Sequence, residues 1–181
     1  MYQTIISAEE LSAKLKEPDW LVIDCRYDLA DMSSGYRSYL DEHIVGAIYA
    51  DIHNDLSGEM LTDHGRHPLP GADKLRKVFS SFGISQDKQV VVYDASSGAF
   101  AARLWWLLRY MGHEAVAVLD GGWQATLCVV VDMTQRVFAV DTPAPPVPCH
   151  QAPQYPAYSA QARGDFHCDI LPPLRTVNGR P

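Results

Sequence analysis

Basic charge is scarce in this sequence: 15 lysines and arginines stand against 22 aspartates and glutamates, a formal net charge of -7. That balance offers no basic patch for phosphate backbones or anionic membranes, which excludes nucleic acid and membrane surfaces as expected partners. Long apolar runs are missing too, since no segment reaches the ~20 residues that a membrane-crossing helix needs. The opening stretch from Met1 to Leu15 pairs no basic region with an apolar core and a small-residue cleavage site, which predicts a cytoplasmic protein. Cysteine is sparse: Cys25, Cys128, Cys149 and Cys168 fall at unrelated spacings, so reduced thiols are expected rather than a disulfide framework. Cys149-His150 and His167-Cys168 lack the spacing that turns two side chains toward one ion, and no metal site is expected. No Gly-x-Gly-x-x-Gly opens a helix, so a dinucleotide site is not expected, nor is any other cofactor.

What is there is a core. Hydrophobic residues make up 47% of the 181-residue chain, enough for one domain plus an extension. Ser7-Ala-Glu-Glu10 reads as a capping box that opens a short helix carrying Leu11 and Leu15 at helical spacing. Trp20 to Asp24, Val45 to Ala50, Gln89 to Tyr93 and Ala115 to Leu119 are nearly continuous apolar runs, the pattern of parallel strands buried on both faces. Between them Ala72 to Phe82 and Phe100 to Met111 carry apolar residues at a helical period. Strands alternating with helices predict an α/β domain with an open, mainly parallel sheet of five strands and helices on both faces. Past about residue 125 the pattern fades: the last forty residues hold nine of the twelve prolines, and Leu127 to Val131 is the one plausible strand. An irregular proline-rich tail is expected over 126–181.

Three ordered blocks then stand out. They are Leu21-Val-Ile-Asp-Cys-Arg26, Glu42-His-Ile-Val-Gly-Ala-Ile48, and Val90-Val-Val-Tyr-Asp-Ala-Ser-Ser-Gly98 running through Arg103-Leu-Trp-Trp106 to Leu119-Asp-Gly-Gly-Trp123. Together they resemble the rhodanese family of thiosulfate/3-mercaptopyruvate sulfurtransferases. Gly65-Arg-His-Pro-Leu-Pro70 and the Arg-Leu-Trp-Trp stretch further resemble the first domain of tandem enzymes. The resemblance covers about 4–125 and implies the rhodanese fold, with His43 and Gly46 turning the chain into a strand. An abrupt loss of pattern at Thr126 is what a truncation or a reading-frame change would produce.

The family's reaction is transfer of sulfane sulfur to a thiophilic acceptor, through a cysteine persulfide in a loop between a central strand and a helix. Backbone N–H groups and a helix N-terminus in that loop stabilise a thiolate. Active members read roughly Cys-x-x-Gly, whereas this chain reads Asp94-Ala95-Ser96-Ser97-Gly98-Ala99-Phe100, with an extra residue before the glycine. A carboxylate at the mouth of a helix caps orphan donors but cannot carry a persulfide, so Asp94 is expected to seal the loop and the chain to be inactive alone. Cys25 stands at the C-terminal end of its strand, the edge where open sheets bind ligands, but no glycine follows it, and a buried structural role is expected. Resemblance to the mercaptopyruvate branch implies that Arg66 and His67 line a substrate cleft shared with another domain, and that an anionic sulfur donor is the small-molecule partner. His53 replaces an aspartate frequent in that branch. Asp51 and Asp55 are expected to end a strand and cap the next turn. Trp105, Trp106 and Trp123 are read as packing residues. Two alternatives stay open: sulfur transfer through Cys25 or a partner subunit's cysteine, and a non-enzymatic module that binds an anion or a protein.

Overall fold

The computed structural model describes residues 1–60 and 65–129. Ten elements alternate along the chain. β1 (Ile5–Ile6), α1 (Ala8–Ser12), β2 (Trp20–Asp24), α2 (Ser34–Asp41) and β3 (Ile48–Tyr49) come first. α3 (Ala72–Ser81), β4 (Gln89–Tyr93), α4 (Ala101–Tyr110), β5 (Val116–Leu119) and α5 (Gly122–Val129) follow. The strands form one sheet in the order β1-β5-β4-β2-β3. All its pairings are parallel, with Asp24 opposite Tyr93 and Val92 opposite Val118.

Alternation along the strands splits the core in two, because successive side chains leave opposite faces. Ile23, Val90, Val92 and Val116 meet Leu75, Val78 and Phe79 of α3 and Leu104, Leu107 and Leu108 of α4. Val22, Val91, Tyr93, Ala117 and Leu119 meet Leu11 of α1, with Trp123 and Ala125 of α5 packed against them. β4, buried along all five residues, is the centre of the molecule. Each fully buried Leu or Phe side chain contributes about 1.5–3 kcal/mol.

The Ser7 capping box forms as the sequence predicts: the Glu10 N–H donates to Ser7 Oγ at 3.2 Å and the Ser7 N–H to Glu10 Oε2 at 3.1 Å. Three details depart from the sequence reading. β1 at Ile5–Ile6 has no counterpart in the sequence reading, and of the tail strand expected over Leu127 to Val131, residues 127–129 belong to α5 while 130–131 lie outside the described residues. The run from Val45 to Ala50 yields only Ile48–Tyr49, because Gly46 turns the chain with a φ of 76° that a strand cannot hold. α2 has no counterpart in the sequence reading; its buried Tyr36 and Tyr39 close a small cluster with Tyr49. Trp106, expected as a packing residue of core and partial surface, is 48% exposed and stacks on Tyr110. Most of the proline-rich tail, from 130 onward, lies outside the described residues.

Candidate functional site

β4 ends on Tyr93, and the chain then turns through 94–100 into α4 at the C-terminal edge of the central strand. That edge is where open parallel sheets place their ligands. Asp94 is only 1% exposed, and its carboxylate sits inside the loop that it begins. Oδ1 accepts the N–H of Ser96 at 2.7 Å and of Gly98 at 2.9 Å; Oδ2 accepts the N–H of Phe100 at 2.8 Å and of Ala101 at 2.9 Å. Four amides therefore converge on one anion, the last two from the start of α4, where the helix dipole favours negative charge. The extra residue before the glycine is absorbed by left-handed backbone: Ser97 has φ 56°, uncommon for a residue with a side chain, and Gly98 follows at 84°. Ala95, Ser96, Ser97 and Ala99 are exposed around this ring.

The loop is braced from behind. The Asp94 carbonyl accepts the Trp123 N–H at 2.8 Å, and Gly122 passes so close that a Cβ there would lie 2.4 Å from that carbonyl oxygen. Arg26 grips the buried Asp24 with Nε and Nη2, at 2.6 Å for the closest contact, and stacks over the Trp123 ring at 4.4 Å. Tyr93 completes the group by donating its hydroxyl to Asp24 at 2.7 Å.

Cys25 lies within the larger core cluster at 1% exposure. Burial, and then the Asp24, Asp94 and Asp55 carboxylates, push its thiol well above the ordinary value. Such surroundings oppose the thiolate that nucleophilic sulfur chemistry needs. Asp51 and Asp55 act within the backbone: Asp51 Oδ1 accepts from the amides of His53 and Asn54, and Asp55 Oδ2 from that of Asp51, each at 2.8 Å. Among the described residues no group of three or more His, Cys, Asp or Glu side chains could hold a metal ion. Cys149-His150 and His167-Cys168 lie outside them.

His67 comes near the loop through aromatic contacts. Its ring meets Tyr27 edge-on at 5.8 Å between centroids, and Tyr27 meets Phe100 at 5.5 Å. His53 packs edge-on against His67 at 5.9 Å. Burial, and then the charges of Arg103, His53 and Arg66, hold the His67 imidazole below its usual value, so it is neutral near neutral pH. Arg66 is exposed and donates to the Leu29 carbonyl at 3.4 Å. The structure thus gathers Phe100 and His67 around Tyr27, with Cys25 enclosed in the core. Tyr27 and Arg103 carry no role in the sequence reading; the signals for Arg103 were its place in the Arg-Leu-Trp-Trp block and its position three residues after Phe100, on the first turn of α4.

A family model for the rhodanese-like domain matches residues 7–127. This chain belongs to the rhodanese family. It is 48% identical over 126 residues to a probable 3-mercaptopyruvate sulfurtransferase of Pseudomonas aeruginosa, a match covering 67% of this chain and 44% of that protein. It is 34% identical over 129 residues to the 3-mercaptopyruvate sulfurtransferase of Escherichia coli, covering 66% and 43% of the two chains. The solved 3-mercaptopyruvate sulfurtransferase from Leishmania major superposes with a TM-score of 0.68 at 29% identity, covering 81% of this chain and 39% of that one. The rhodanese domain described here therefore spans less than half the length of these relatives. Among its described residues no helix is long and apolar enough to cross a membrane.

Proposed function

We propose that residues 4–125 are the non-catalytic, N-terminal type of rhodanese domain from a tandem sulfurtransferase, working in the cytoplasm on a small anionic sulfur donor such as thiosulfate or 3-mercaptopyruvate. The reacting cysteine comes from a second rhodanese domain or subunit. This chain alone transfers no sulfur. One observation carries the reading: the Asp94 carboxylate occupies the four amide donors that a thiolate or its persulfide would need in this loop. A carboxylate oxygen is a hard, weakly nucleophilic anion, and it cannot store sulfane sulfur as an S–S bond. Cys25 offers no replacement, since its thiol is enclosed and held protonated. His67 reaches the loop through Tyr27 and Phe100, which supports a role for it and for the exposed Arg66 beside it as the imidazole and the cation offered to a facing loop.

The test is direct. Purified protein incubated with thiosulfate or 3-mercaptopyruvate and then cyanide should yield no thiocyanate above background, and intact-mass spectrometry should find no cysteine carrying an added sulfur. Thiocyanate formation that disappears in Cys25→Ala would overturn the proposal.

A further inference from the structure

Arg103 projects from the first turn of α4 across to two separate stretches of chain. Its Nε donates to the Leu56 carbonyl at 2.9 Å, and its Nη2 donates to the carbonyls of His67 and Pro68, each at 3.0 Å. Lys74 closes the same corner, donating to the Ser57 carbonyl at 2.6 Å, and the Gly58 N–H reaches the Pro68 carbonyl at 3.0 Å. The side chain is partly buried, yet among the described residues no carboxylate lies within ion-pair distance of it. Its charge is spread over neutral carbonyl oxygens and is not cancelled. A planar fork with fixed donor directions suits that task, and an ammonium point charge does not.

We propose that Arg103 is the positioning residue of the cleft, fixing the segment that carries Arg66 and His67 against the start of the helix that follows the Asp94 loop. The inference rests on the reading that this segment faces a partner's reacting loop, and it supplies what holds the segment in place. Among the described residues His67 is met by Arg103 from α4, by His53 after β3, by Tyr27 after β2, with Asp51 and Asp28 acting on that tyrosine, and by Arg66 within its own segment. Among the described residues no hydrogen-bond partner engages His67 Nε2, although the atom is buried. Arg103 holds the His67 carbonyl, and after burial its charge is the next cause that keeps the imidazole below its usual value. A simple structural staple would fix the segment without influencing the titration.

Two variants separate the roles. In Arg103→Gln the uncancelled charge is gone while the burial stays, and the His67 midpoint followed by imidazole NMR should rise part of the way toward the ordinary histidine value. In Arg103→Lys the charge stays, so the midpoint stays low, while the amide of Gly58 exchanges about tenfold faster or more because the segment that carries its acceptor has lost the fork. A His67 midpoint unmoved in a folded Arg103→Gln, or a Gly58 exchange rate unmoved in Arg103→Lys, would each overturn the proposal. If Arg103→Gln does not fold, the lysine variant alone decides. Both measurements use this chain by itself and detect no sulfur transfer, so their failure is distinct from a positive thiocyanate assay, which would remove the non-catalytic reading instead.

Discussion

Replacing Asp94 by asparagine changes one oxygen to an amide nitrogen and leaves the shape of the side chain intact. Asparagine keeps one acceptor oxygen, enough for two of the four amides at Ser96, Gly98, Phe100 and Ala101. Its NH2 group must then face the other two as donor against donor. A hydrogen bond to a charged group contributes about 1.5–3 kcal/mol, so losing two costs up to ~6 kcal/mol. Relaxation of the exposed Ser96 and Ser97 backbone into water recovers part of this, which leaves roughly 3 kcal/mol as the expected loss. Domains are stable by only about 5–15 kcal/mol, so the effect is large. Urea unfolding followed by far-ultraviolet circular dichroism should show a midpoint well below that of the parent with an unchanged slope. An Asp94→Asn protein within about 0.5 kcal/mol of the parent would refute the reasoning, because it would mean that the four amides do not depend on the carboxylate.

Gly122→Ala should lower the melting temperature by roughly 5 °C or more, since a Cβ 2.4 Å from the Asp94 carbonyl must displace backbone and the residue sits at φ 55°; an unchanged melting temperature would show that α5 does not brace the loop. At the surface, the Arg37 guanidinium, and then the Ser33 hydroxyl and amide, hold the Asp31 carboxyl down to about 2. A depressed carboxylate stabilises the folded form above its unfolded value, near 3.8, and that contribution is lost as pH falls through about 2. Carboxyl NMR should find the Asp31 midpoint returned toward 3.8 in Arg37→Ala, and a midpoint still near 2 would assign the shift to Ser33 instead.

The parts of the fold that the sequence revealed are those where burial is continuous. β2 and β4 are apolar except for Asp24 and Gln89 at their ends because both of their faces are covered, and α3 and α4 each show one apolar stripe because they cover only one face. β1 escaped because two residues carry no period; only the pairing of Ile5 with Val118 and Ile6 with Leu119 makes them a strand. α2 escaped because its buried residues are tyrosines and a glycine set among polar ones. Leu127 to Val131 misled because an apolar run of that length suits a short strand as well as the end of a helix, and the Gly121-Gly122 turn before it decided the outcome. At the site, a carboxylate at a helix mouth already suggested capping. The number of amides it gathers depends on the left-handed Ser97, which no neighbour in sequence announces. The approach of Tyr27, His53, His67 and Arg103 joins two connections, β2 to α2 and β3 to α3, with the helix α4, and has no local signature.

Both margins of the sheet are strands of two residues, β1 and β3, while its interior strands have four or five. Unpaired strand margins are templates for polymerisation, and margins this short offer a neighbouring chain almost no ladder to extend. Growth of the sheet sideways into a second molecule is thereby discouraged. Contact with another domain by extension of this sheet is disfavoured, and recognition by side chains rather than by shared backbone is what such margins leave.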